Sequence, residues 1–100
     1  MNDITVKELK ERLANNEKLN IVDVRETWEF EEKNIGAKLI PLGSLPLRVD
    51  ELEPLKDEEL IVHCRSGKRS AQAKQFLESK GFTKVRNLET GIEGFLKEDA

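Results

Sequence analysis

Cysteine and histidine each occur once in the 100-residue chain, tryptophan once and proline three times. A single cysteine cannot close an internal disulfide, and one Cys with one His makes a poor zinc site, so no metal is expected. No apolar run approaches the length that crosses a bilayer, so no membrane association is expected. Met1-Asn2-Asp3-Ile4-Thr5 lacks the basic start and apolar stretch of a secretory signal, which predicts a cytoplasmic protein. Basic charge is not in excess either. The net charge of -3 offers no electrostatic footprint for nucleic acid. Internal repeats, low-complexity segments and linkers are also missing.

What is present suits one domain over residues 1–100, large enough to bury roughly two-thirds of the surface its unfolded form exposes. Hydrophobic and charged residues each make up 37% of the chain, an ordinary balance for a folded core with a charged surface. Apolar periodicity switches repeatedly between helical and extended. Thr5 and Glu8 have capping-box spacing, with Val6, Leu9 and Leu13 on one face behind them. Ile21 to Val24 reads as a strand and Glu26 to Lys33 as a helix packed through Trp28 and Phe30. Leu39-Ile40 reads as a short strand stopped by Pro41, and Leu45 to Leu55 as a helical stretch broken around Pro46 and Pro54. Leu60 to His63 is the clearest strand. A helix over 69–80 follows, packed through Ala71, Ala73, Phe76 and Leu77 and ended by Gly81. Val85 to Leu88 and residues 92–97 read as a last strand and helix. This alternation predicts an α/β fold, a mostly parallel sheet with helices on both faces.

Ligands of such sheets gather where strand ends meet helix N-termini, and Cys64 stands at that point. The segment Cys64-Arg65-Ser66-Gly67-Lys68-Arg69 holds three cationic side chains in an otherwise acidic chain. A turn eased by Gly67 curls backbone N–H groups inward, and the following helix adds the positive end of its dipole. A free thiol is only a few per cent ionised at neutral pH. The dipole supplies up to about 2 kcal/mol, near one pKa unit, and cations with N–H donors supply the rest. Cys64 is therefore expected at the mouth of the loop as a reactive thiolate. His63 belongs on the opposite strand face, so a Cys–His dyad is not expected.

The run Cys64-Arg65-Ser66-Gly67-Lys68-Arg69-Ser70 resembles the active-site loop of the rhodanese-like sulfurtransferases. Asp23-Val24-Arg25-Glu26, Glu29-Phe30, Ile35-Gly36-Ala37, Ile40-Pro41-Leu42, Gly81-Phe82 and Asn87-Leu88-Glu89 extend the resemblance in family order. It implies a central five-stranded, mostly parallel sheet and no cofactor. It also implies a Cys64 persulfide that takes sulfur from a small anionic donor such as thiosulfate. The sulfur then passes to cyanide, a thiol or a protein acceptor by ping-pong chemistry. Arg65 and Lys68 are expected to meet the donor, with Ser66, Gly67, Arg69 and Ser70 completing the site. Arg69 is expected to turn toward Asp23 or Glu26, and Asp23 and Arg25 to support the loop. The chain departs from the family pattern at Lys33-Asn34, His63, Thr90-Gly91 and Phe95, which leaves the walls of the site open.

Two other functions compete. A tyrosine-phosphatase cradle would carry its arginine at position 70, where this chain has Ser70. Arg69 makes the loop one residue shorter, which favours sulfur over phosphate or arsenate. A sulfur-carrier or protein-binding module is the other alternative, and the presence of Cys64 argues against an inert one.

Overall fold

The computed structural model describes residues 1–97. Helix α1 spans Val6–Ala14, and the Thr5 hydroxyl caps it by accepting from Glu8 N at 3.0 Å. Strand β1 (Ile21–Asp23), helix α2 (Thr27–Glu32) and strand β2 (Lys38–Leu39) follow. The stretch broken by prolines resolves into a 3₁₀ turn over Leu42–Ser44, the short helix α3 (Leu45–Arg48) and a second 3₁₀ segment over Val49–Leu55. Strand β3 (Leu60–His63), helix α4 (Lys68–Ser79), strand β4 (Val85–Asn87) and helix α5 (Gly91–Lys97) complete the order. Gly81 ends α4 with a φ of 93°, the left-handed cap expected there.

The strands run in the order β2-β1-β3-β4, all pairs parallel. Among the described residues, four strands stand where five were expected. The outer position beside β4 is taken by Ile4 alone, which bridges to Leu88. Its N–H donates to Asn87 O and its carbonyl accepts from Glu89, both at 3.0 Å. Thr5 caps α1 at the next residue, so the chain turns helical before a strand can lengthen.

Buried side chains form two apolar clusters, one on each face. Leu60 and Val62 of β3 pack with Leu52, Ala73, Leu77 and Phe82, and Cys64 joins that side. Ile61 packs on the other side with Ile4, Val6, Leu9 and Leu88. All four residues of β3 are buried, as befits a central parallel strand covered on both faces. Two packing assignments fail. Ala71 lies exposed on α4. Trp28 is 62% exposed, because in the single-sided helix α2 the buried position is held by Glu29.

Candidate active site

Strand β3 ends at His63, and the loop after it reaches α4 through Gly67, whose φ of 106° lies in the left-handed region. A side chain is doubly excluded there. A Cβ at Gly67 would lie 2.7 Å from the Glu89 carbonyl oxygen. The turn folds the Gly67 N–H back onto Cys64 Sγ at 3.1 Å, and the Ser70 N–H donates to the same sulfur at 3.4 Å. The Ser70 hydroxyl lies 3.3 Å from it. Cys64 is 1% exposed, so its sulfur forms the floor of the loop rather than its mouth. The N–H groups that converge on the sulfur also wall it off.

Burial pushes the Cys64 thiol up, but the Ser70 hydroxyl and the N–H groups of Ser70, Gly67 and Ser66 outweigh it. The net direction is below the ordinary thiol value, and the arrangement suits an anionic sulfur.

The cations are distributed differently from expectation. Arg69 turns to Glu29, with Nη1 and Nη2 at 2.7 and 2.9 Å from the two carboxylate oxygens, and not to Asp23 or Glu26. Hydrogen bonds from Arg69, set against a smaller effect of burial, bring the Glu29 carboxyl down to about 2. Glu29 is held in place by its own helix, since its side chain accepts from the Glu26 N–H at the start of α2. Asp23 is taken by Arg25 instead, at 2.7 Å, with both side chains buried. Arg25 also donates to the carbonyls of Glu29 and Lys33, so this pair fastens β1 to the middle and the C-terminal end of α2. Arg65 is exposed and bonds Glu93 of α5 at 3.1 Å, while Lys68 and Ser66 are exposed.

His63 is fully buried beside its register partner Asp23, Nε2 lying 3.6 Å from the carboxylate. Its Nδ1 meets the Cys64 backbone carbonyl at 3.2 Å. The ring thus touches the peptide of Cys64 and not its sulfur. Burial, only partly opposed by Asp23, holds His63 below the usual histidine range and hence neutral at pH 7.

Three residues that the sequence marks only as landmarks or departures shape the loop. Glu29 anchors Arg69. Asn87, at the end of β4, donates from Nδ2 to the Gly67 carbonyl at 3.0 Å and accepts from the Ser70 hydroxyl at 2.5 Å. Gly91 starts α5 against the loop, so close that a Cβ would collide with the Arg65 carbonyl. The Ile92 and Glu93 N–H groups then bond the carbonyls of Cys64 and Arg65. A polar residue inside a buried strand end was the available signal for Asn87.

Beside this loop lies an open cleft of about 270 Å³, lined by Trp28, Lys33, Arg65, Ile92 and Leu96 among others. Trp28 and the half-exposed Leu96 give it an apolar rim.

Residues 5–98 match the rhodanese-like domain. The chain belongs to the rhodanese-like family. Among curated relatives, a sulfurtransferase of Allochromatium vinosum is 37% identical over 93 residues, which cover 92% of this chain and 85% of that protein. YrkF of Bacillus subtilis, named as a candidate sulfur carrier, is 37% identical over 91 residues; the match covers 90% of this chain but 48% of YrkF. The crystal structure of a rhodanese-like domain protein from Staphylococcus aureus superposes with a TM-score of 0.82 at 36% identity, covering 95% of this chain and 91% of that one. The rhodanese-like fold thus accounts for the parallel sheet and the helices around it.

Proposed function

We propose that this protein is a sulfurtransferase whose Cys64 carries sulfane sulfur as a persulfide. The observation that carries the proposal is the pair of backbone N–H donors on Cys64 Sγ, at 3.1 and 3.4 Å, with the Ser70 hydroxyl beside the sulfur at 3.3 Å. With thiosulfate, the Cys64 thiolate attacks the outer sulfur and forms a new S–S bond. The S–S bond of thiosulfate breaks, and its electron pair leaves on sulfite. Cyanide or an acceptor thiolate then attacks the outer persulfide sulfur and returns Cys64 as thiolate. The loop N–H groups hold negative sulfur before and after each step. Arg65 and Lys68, exposed at the rim, attract the anionic donor, whereas Arg69 with Glu29, and Asp23 with Arg25, hold the frame.

Arg69 is engaged by Glu29, which speaks against a phosphatase, where the cradle arginine must be free to grip phosphate. A dedicated sulfur carrier is the second reading, favoured by the likeness to YrkF and by the apolar rim of the cleft beside the loop. A reduced thiol is needed in either case, which supports a reducing compartment such as the cytoplasm.

Intact mass after thiosulfate treatment tests the proposal. Wild type gains one sulfur atom that cyanide removes, and Cys64→Ser gains none. A wild-type protein that stays unmodified would overturn it. Turnover with excess thiosulfate and cyanide separates the two readings, since a dedicated carrier loads once and turns over slowly with free acceptors.

A further inference from the structure

The Ser70 hydroxyl has one hydrogen and two buried acceptors. Its Oγ lies 2.5 Å from Asn87 Oδ1 and 3.3 Å from Cys64 Sγ. The other end of the Asn87 amide fixes its orientation: Nδ2 donates to the Gly67 carbonyl, and turning the amide over would set two oxygens against each other. Oδ1 carries no hydrogen, so the short contact is a bond only while Ser70 donates. With Cys64 as a thiol the pattern closes, S–H donating to Oγ and O–H to Oδ1. With an anionic sulfur it does not. Either the Oγ lone pairs face the anion, or the hydroxyl turns to sulfur and leaves Oδ1 without a donor at a residue 7% exposed.

We propose that Asn87 is a positioning residue for Cys64: it draws the Ser70 hydroxyl away from the sulfur and so sets how readily the sulfur becomes anionic. The role rests on Cys64 being the nucleophile, as proposed above, but the competition for the hydroxyl does not. The charged groups around the sulfur are Arg69 of α4, whose charge the sulfur feels, and Glu29 of α2 paired with it. His63 of β3 stands at the Cys64 carbonyl with Asp23 and Arg25 of β1 behind it, and Glu93 of α5 pairs with Arg65 in the loop. None of these bonds the Asn87 side chain. The Gly67 carbonyl also keeps the Ala71 N–H when Asn87 is replaced.

Titration of thiolate by its ultraviolet absorbance tests the role. Asn87→Ala is expected to raise the thiolate-to-thiol ratio at fixed pH by about tenfold, the worth of one hydrogen bond to a charged group. In a Ser70→Ala background the same substitution is expected to change the ratio by less than about twofold, because the competing hydroxyl is gone. A general loosening of the loop would act in both backgrounds. An Asn87→Ala ratio that falls or stays within about twofold of wild type overturns the proposal, as does a shift undiminished in the Ser70→Ala background. If Asn87→Ala does not fold, Asn87→Leu keeps the size without the acceptor and is expected to raise the ratio as well; a fall or no change overturns the proposal. Sulfur loading measured by mass on the same preparations stands apart. Its failure in wild type would remove the sulfurtransferase reading and leave the titration result intact.

Discussion

Glu29 shows how one side chain can help frame a loop around a sulfur it does not touch. Its carboxylate receives two Arg69 nitrogens and the Glu26 N–H that precedes its own helix, and so clamps the start of α4 to α2. Replacing it by Gln is expected to cost about 1–2 kcal/mol, since one partner is nearly buried and the other about a third exposed. The pH dependence follows from the depressed carboxyl, about 2 against an ordinary 4.5. The contribution is fully present above pH 4.5 and is lost as the pH falls toward 2, so wild type and Glu29→Gln converge in that window. Chemical denaturation at pH 7 and pH 3 checks both the size and the sign. Asp23, by contrast, was expected to receive Arg69 and is already filled by Arg25, two residues away. A short-range partner on the same segment costs less ordering, and sequence spacing cannot show that competition.

At the scale of elements, the loop is held between two backbone crossings. Gly67 passes under the Glu89 carbonyl, and Gly91 under the carbonyls of Arg65 and Cys64. Gly91→Ala meets those oxygens at a φ of 61° and is expected to lose about 2 kcal/mol or more of stability, with slower sulfur loading. Gly43→Ala, with open space around the added Cβ, is expected to stay within about 0.5 kcal/mol of wild type and serves as the control. Thermal unfolding of the two variants side by side makes the comparison. Much of this architecture was legible. The β-branched runs marked β1 and β3, Thr5 marked the start of α1, Gly67 marked a turn and Gly81 the left-handed end of α4. The register that sets Asn87 beside Val62, and hence beside the loop, was not legible, because a three-residue strand carries too little periodicity to fix pairing. The fifth strand was implied by the family resemblance alone; the residues themselves read as four strands, and Ile4 supplies a single bridge in its place. Trp28 misled in the opposite direction: its size suggested the core, while the helix face was decided by the Glu29–Arg69 pair across the fold.

Across the whole molecule, Arg86 joins the chain's beginning to its far strand. Its guanidinium bonds the Asn2 carbonyl at 2.8 Å, Glu8 of α1 at 2.7 Å and Glu59 before β3 at 3.0 Å. Arg86→Ala is expected to cost about 1–3 kcal/mol, since Glu8 loses its closest cation while Glu59 keeps Arg12. Hydrogen exchange should quicken first at the Ile4 and Glu89 amides, which close the single bridge beside β4. Exchange unchanged at those two amides would count against the fastening role. No helix among the described residues is long and apolar enough to cross a membrane. The burial of Cys64 also governs how copies of the protein meet. A disulfide needs two Cα atoms about 5.5–6 Å apart, a distance two folded copies cannot reach while each sulfur lies beneath its own loop. Storage in air should therefore leave the protein free of covalent dimers, and non-reducing electrophoresis would reveal any that form. In the loaded state proposed here, the added atom stands one S–S bond of about 2.05 Å farther out. The cargo then meets the acceptor while the carrier atom stays sheltered.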